Sequence, residues 1–218
     1  MHLLKDRTKF FLMTVAVLVA GCTSEPTKPA EAPKPAEAPA AKEEKPPEAI
    51  TGRVAFQKLF ATARMWAIDA KPYRLESQPI KAAPGADGKA AVWHGAFASA
   101  SRRAVKPYVW SGVDAEDAPE RGISPGTEDT YNPANVSTQP FDFAFLKMDS
   151  DKAFDVAQST GGKKITVKDP NQPIKYELDW NPRANKLNWH VIYGTSAGDA
   201  RLRVVVDASS GEFVRIAK

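Results

Sequence analysis

Ile174-Lys175-Tyr176-Glu177-Leu178-Asp179-Trp180 alternates apolar and polar residues without a break. A period of two puts Ile174, Tyr176, Leu178 and Trp180 on one face of a strand and the charged residues on the other. Asn181-Pro182-Arg183-Ala184-Asn185 supplies turn chemistry, and Leu187–Tyr193 returns as a second strand. Leu202–Val206 reads as a third, and Ser209-Ser210-Gly211 turns into a last strand at Phe213–Ile216. The inward set is Tyr176, Leu178, Trp180, Leu187, Trp189, Val191, Leu202, Val204 and Val206. A meander with one apolar face needs a helix to cover it. The segment just before it offers one: Asp149 or Ser150 as a cap, then Ala153, Phe154, Val156 and Ala157, with a stop at Gly161-Gly162. Residues 149–218 therefore read as one α+β unit.

The same order occurs earlier, in residues 51–112. Phe56, Leu59, Phe60, Ala63, Trp66 and Ala67 recur at helical spacing across Arg53–Asp69, with Thr51 or Gly52 to begin the helix and Pro72 to end it. Phe60 and Trp66 are the expected core anchors. Strand candidates follow at Tyr73–Gln78, Ala90–Ser99 and Ala104–Ser111, with a loop at Pro84-Gly85-Ala86-Asp87-Gly88. Trp93-His94 followed by Arg102-Arg103 parallels Trp189-His190 followed by Arg201-Leu202-Arg203, the second spacing being two residues longer. This reads as an internal duplication, with a longer second hairpin at Gly194–Asp199. Residues 113–148 connect the units, either packing across them through Ile123, Tyr131, Pro133 and Pro140 or forming a mobile loop. Gly85, Gly88, Gly161, Gly162, Gly194 and Gly211 read as turn residues.

Ahead of residue 51 the chain changes character. Residues 23–50 hold repeated Pro-Ala-Glu-Ala-Pro units, with 4 Lys against 6 Glu. Such a segment offers almost nothing to a core and behaves as a semi-stiff spacer. Its 28 residues reach roughly 80–90 Å at about 3.1 Å per residue. Before it, Lys5, Arg7 and Lys9 precede the apolar run Phe10–Leu18, shorter than the about 20 residues a spanning helix needs. An ordinary cleaved signal peptide would also fit. The chain's one cysteine, Cys22, directly follows Val19-Ala20-Gly21. This placement resembles the lipobox of bacterial lipoproteins. The resemblance implies removal of residues 1–21, acylation of Cys22, and a membrane anchor for the linker of residues 22–50. Thr23 is not the Asp that retains many such proteins at the inner membrane, so an outer-membrane location is favoured in a diderm cell. Once Cys22 is acylated the chain has no thiol for a disulfide or a nucleophile.

A second resemblance lies at the other end. Trp189-His190-Val191-Ile192-Tyr193, the hairpin, and Val204-Val205-Val206-Asp207-Ala208-Ser209-Ser210-Gly211-Glu212 resemble the close of a PepSY domain, with Ser210 where that family usually has threonine. Ser150–Gln158 resembles the family's opening helix. Residues 53–112 match it only in element order. The resemblance implies a helix on an antiparallel sheet in an envelope protein, a role in regulating or inhibiting peptidases, and no catalytic residues.

The residues themselves offer little chemistry. His94 and His190 are the only histidines beyond Cys22, and no G-x-S-x-G surrounds any serine. Each histidine follows a tryptophan on a strand and so points to the opposite face. A half-exposed strand histidine is the plain reading; a sharper one has the two binding one metal ion. Asp114, Glu116, Asp117 and Glu120 do not fit a calcium loop and read as a solvated acidic loop. Residues 51–218 hold 23 Lys and Arg against 19 Asp and Glu, too mild an excess to imply nucleic acid. The expectation is a non-enzymatic, lipid-anchored envelope module without metal or cofactor, recognising a protein, peptide or cell-wall partner. Its outward sheet face would carry Lys175, Glu177, Asp179, His190, Arg201 and Arg203. His94, His190, Arg201 and Arg203 are the candidate partner-binding residues.

Overall fold

The computed structural model describes residues 45–217. Cys22, the segment of residues 1–21 and most of the linker lie outside them. The chain enters at β1 (Ile50–Thr51) and passes directly into α1 (Gly52–Trp66). There follow β2 (Lys71–Ser77), β3 (Lys89–Ala90), β4 (Val92–Ser99), β5 (Ala104–Ser111), β6 (Gly122–Pro125) and β7 (Asp129–Thr130). The second half contains α2 (Ser150–Ala157), α3 (Lys163–Lys168), β8 (Ile174–Asn181), β9 (Lys186–Tyr193), β10 (Arg203–Asp207) and β11 (Phe213–Ala217). The class is α+β, as expected.

What the alternation could not tell is how the two sets of strands meet. They form one antiparallel sheet in the order β11-β10-β9-β8-β2-β4-β5-β6, with β7 also on β5 and β1 pairing β3 apart. The join is β2 against β8, where Leu75 faces Leu178 and Glu76 faces Glu177. The described residues lie within a single compact unit, Glu43–Lys218.

Pairing order repeats across the join. Trp93 faces Trp110 on β5, and Trp189 faces Val206 on β10, seventeen positions on in each case. The two hairpins are thus equal in overall length, but the strands part earlier in the second: four residues, 100–103, join β4 to β5 and nine, 194–202, join β9 to β10, so the longer loop expected at Gly194–Asp199 is present. The arginines do not correspond. Arg203 faces Ile192, three residues past Trp189, whereas Pro107 faces Ala96, three past Trp93. Arg103 instead sits in the β4–β5 turn with φ 53°.

One face of the sheet holds the core. Tyr176, Leu178, Leu187, Trp189, Val191, Val204 and Val206 are fully buried, while Trp180 and Leu202 are partly buried against them. On α1 the anchors are Phe56 and Leu59 rather than Phe60 and Trp66. Phe56 lies at the centre of the aromatic cluster, with ring centroids 5.1 Å from Phe143 and 5.9 Å from Phe60. Trp66 sits at the helix end, where its Nε1 donates to Glu128 and Arg102 lies over its ring. Burying a side chain such as Phe56 stabilises by about 1.5–3 kcal/mol.

The two halves are sewn together at their helix starts. Asp149 Oδ1 caps α2 by accepting from Ser150 N, and it also accepts from Arg53 N at the start of α1. Ser150 Oγ accepts from Gly52 N at 2.7 Å and donates to Gly88 O. One cap thus serves donors on two helices that would otherwise lack partners. Beneath it Trp93 and Trp189 meet edge to face at 6.4 Å. Gly52 has to be glycine here: a Cβ would stand 2.5 Å from the Trp189 ring and 3.0 Å from that of Trp93.

Two expectations change in the connecting regions. The second helix does not stop at Gly161-Gly162; a wide π-type turn spans Gln158–Gly162 and α3 continues. Gly161 takes φ +118°, but Gly162 is helical and is needed for closeness, since a Cβ there would overlap the Tyr193 hydroxyl. Gly194 likewise lacks a positive φ. The passage 113–148 adds β6 and β7 to the edge at β5, then crosses to the second half. Phe141, Phe143 and Leu146 carry that crossing into the core, and Phe145 reaches Trp180 at 5.1 Å. Ile123, expected to pack, is 38 % exposed.

Candidate interaction face

The face away from the helices is polar at the join. Strand register lays out one row there: His94 on β4, Glu76 on β2, Glu177 on β8 and His190 on β9. The row is the same read from either side, because the two glutamates face each other and each faces its own histidine.

Both histidines point away from the tryptophans, as alternation requires, but they do not meet. They stand three strand spacings apart, about 14 Å, too far for one ion to be held by both. Among the described residues no group of three or more His, Cys, Asp or Glu is placed to hold a metal ion. The two-histidine metal site is therefore not formed.

Lys175 takes the place between the carboxylates. Its Nζ is 3.1 Å from Glu76 Oε2 and 3.1 Å from Glu177 Oε1. Burial pulls the Lys175 pKa down, but the hydrogen bond to Glu177 and the attraction of Glu76 outweigh it and hold the ammonium above its ordinary value. Arg203 extends the network, with Nη2 3.9 Å from Glu177 Oε2 and 3.1 Å from His190 Nδ1. Since the guanidinium donates to Nδ1, the ring proton sits on Nε2, which donates to Asp179 Oδ1 at 3.1 Å. His94 has a different neighbour, Gln78 Oε1 at 3.0 Å. Burial pushes the His94 pKa down; Glu76 opposes this and Lys175 adds to it.

Beside this row lies a second, Asp179–Asn188–Asp207 across β8, β9 and β10. Asn188 is buried, and its Oδ1 has no hydrogen-bond partner. Lys186 closes on Asp207 at 2.7 Å. A cleft of about 230 Å³ opens at the other end of the join, bordered by Glu76, Gln78, His94, Lys175 and Thr195.

Of the residues expected on this face, Lys175, Glu177, Asp179, His190 and Arg203 come together. Arg201 does not. It lies at the end of the sheet, where Nη1 donates to Gln172 Oε1 at 2.9 Å and approaches Asp169 at 3.5 Å. Glu76, Gln78 and Asn188 belong to the face and were not singled out. The alternation of Tyr73–Gln78 carries the signal for Glu76 and Gln78, but nothing local says that β2 would be the strand beside β8. The acidic loop folds back on itself and its neighbours: Asp114 pairs Arg121 at 2.7 Å, and Asp117 accepts from Lys81 N.

The fold has a counterpart of known structure. A "putative lipoprotein" (CD1622) from Clostridium difficile 630, solved by crystallography, superimposes with a TM-score of 0.50 at 9 % sequence identity, covering 75 % of this chain and 91 % of that one. At that identity the likeness is one of fold. No protein-family model matches the sequence, and no curated protein does. Among the described residues no helix is long and apolar enough to cross a membrane.

Proposed function

We propose that this chain is a membrane-tethered, non-enzymatic binding module of the bacterial cell envelope, and that a protein partner docks on the outer face of its sheet. The observation that carries the reading is the row His94–Glu76–Glu177–His190 with Lys175 and Arg203 laid across it. These charged groups are held by one another on strands rather than on loops, so their positions are set before any partner arrives. Both ring nitrogens of His190 are committed, as befits a recognition surface more than a general base. Lipid anchoring rests on the lipobox-like placement of Cys22 and accords with the description of the structural counterpart as a lipoprotein. An outer-membrane location belongs to the same reading.

Photo-crosslinking in intact cells tests it. A photoreactive residue at Thr195, on the rim of the outer cleft, is expected to capture one partner that a probe at Lys58, on the helix side, does not. Arg203→Gln, with an unchanged circular dichroism spectrum, should abolish that adduct. Capture of the same proteins from both sites, or an adduct indifferent to Arg203, would sink the idea.

A second reading makes the partner a peptidase that this module restrains. Support comes from the helix followed by antiparallel hairpins over residues 149–217, the arrangement the PepSY resemblance implies, and from the same pairing order in residues 51–112, which favours a tandem of such units. Unchanged rates across the co-resident envelope peptidases, with the purified chain in excess, would remove this reading and leave the first standing.

A further inference from the structure

Arg183 in the β8–β9 turn and Arg215 on β11 are exposed and make no ion pair among the described residues; the other described cations of the second half fall into two groups. Lys152, Lys175, Lys186, Arg201 and Arg203 each lie within 4 Å of a carboxylate. Lys163, Lys164 and Lys168, all on α3, are exposed and make no ion pair among the described residues. Val167, one residue from Lys168, is 71 % exposed. The π-type turn before α3 bends the chain so that Thr160, Lys163, Lys164, Val167 and Lys168 border an open depression of about 890 Å³. The nearest carboxylate along the chain, Asp169, is turned toward Arg201.

Three unpaired ammonium groups around an exposed apolar side chain complement a surface of anionic headgroups with hydrocarbon beneath. We infer that α3 is a membrane contact: Lys163, Lys164 and Lys168 dock on anionic phospholipid headgroups while Val167 enters the interface. Each such lysine adds modestly to attraction, so the contact alone is weak. It becomes effective when a tether keeps the domain near a bilayer, and to that extent it rests on the Cys22 reading. Gly161 at the start of this segment lies beside Leu202, and Ile165 packs into the core, so α3 sits on the helix-bearing face of the sheet. Docking through α3 therefore directs the outer face, with its His94–Glu76–Glu177–His190 row, away from the bilayer.

The test uses the processed chain beginning at residue 22 with Cys22→Ser. The three α-helices and the whole sheet lie beyond residue 45, so the shortened chain keeps the described fold. Co-flotation is measured with phosphatidylcholine vesicles made with and without phosphatidylglycerol. Binding should require phosphatidylglycerol, fall steeply with added salt, and weaken about a hundredfold in Lys163→Glu/Lys164→Glu/Lys168→Glu. The same triple change to Gln, which adds no negative charge, should weaken it as well. The inference is overturned by equal binding of the variants or by binding to pure phosphatidylcholine. No binding at all overturns it too, as does displacement by inorganic phosphate at matched ionic strength, which would mean a single-anion site. Since no acyl chain is present, a negative result leaves the anchor at Cys22 untouched, and loss of the anchor in cells leaves the vesicle result standing.

Discussion

The outer face of the sheet is built on one register and finished in two ways. Over the first half, Ile80, Ala83 and Val113 close onto Ala91 and Val92, making a small second core with Val109 beside it. Over the second half, the equivalent strands carry Lys175, Glu177, His190 and Arg203 in a half-buried ionic network. His94 and His190 hold matching positions, yet one is drawn toward the covered side through Gln78 and the other is fixed between Asp179 and Arg203. Residues on the helix side must fill a shared interior and have little freedom. Those on the far side are released from that demand, and there the two halves diverge.

The strongest way to break the comparison is at the one place where the halves cannot differ. Trp93→Ala and Trp189→Ala should each cost about 3–5 kcal/mol. In both variants the loss should appear as a single cooperative transition in calorimetry, because each ring packs against the other half. Two separated transitions in either variant would mean that the halves are independent bodies.

The charged half is probed next by Lys175→Met. Glu76 and Glu177 are then left facing across the join with no cation between them, at a cost of about 1–2 kcal/mol at neutral pH. Like charges raise the pKa of the folded pair, so the folded state would bind more protons than the unfolded one. The deficit should therefore shrink as pH falls toward the ordinary carboxylate pKa of about 4. Urea unfolding at both pH values checks this, and an undiminished deficit in acid would refute it.

The smallest effect belongs to His94. Its folded pKa lies below 6.5, with burial as the leading cause. As pH drops through 6.5 the unfolded chain takes up a proton that the folded chain refuses, so stability is full above that point and declines below it until the folded pKa is reached. His94→Gln should flatten this part of the profile of unfolding midpoint against pH. Parallel profiles for variant and parent would show that His94 contributes nothing to it.

Much of the fold was legible because strands and core obey local periodicity. Ala104–Ser111 and Ile174–Trp180 lie where alternation puts them, to within a residue. Phe60 and Trp66 misled because the helical stripe is wide and the aromatic rings at its margin reach neighbours at the surface. Gly161-Gly162 misled because one of the pair turns the chain and the other only lets Tyr193 approach. The site was half legible. Lys175, Glu177, Asp179, His190 and Arg203 follow from their own strands, but Glu76 joins them through the β2–β8 pairing, a contact between residues about a hundred positions apart that leaves no local trace. Arg201 shows the reverse, since a two-residue step from Arg203 keeps its face only while the strand lasts.

Asp149 and Ser150 also bear on how the chain is made. The first helix begins at Gly52, yet its starting donors find their acceptors 98 and 96 residues later. A ribosome or a translocon delivers residues 51–112 well before those acceptors exist. Pairings of such sequence separation are slow to form, so the leading half must wait with Trp93 uncovered. A chain that ends before Asp149 lacks the acceptors for both donors at the start of α1.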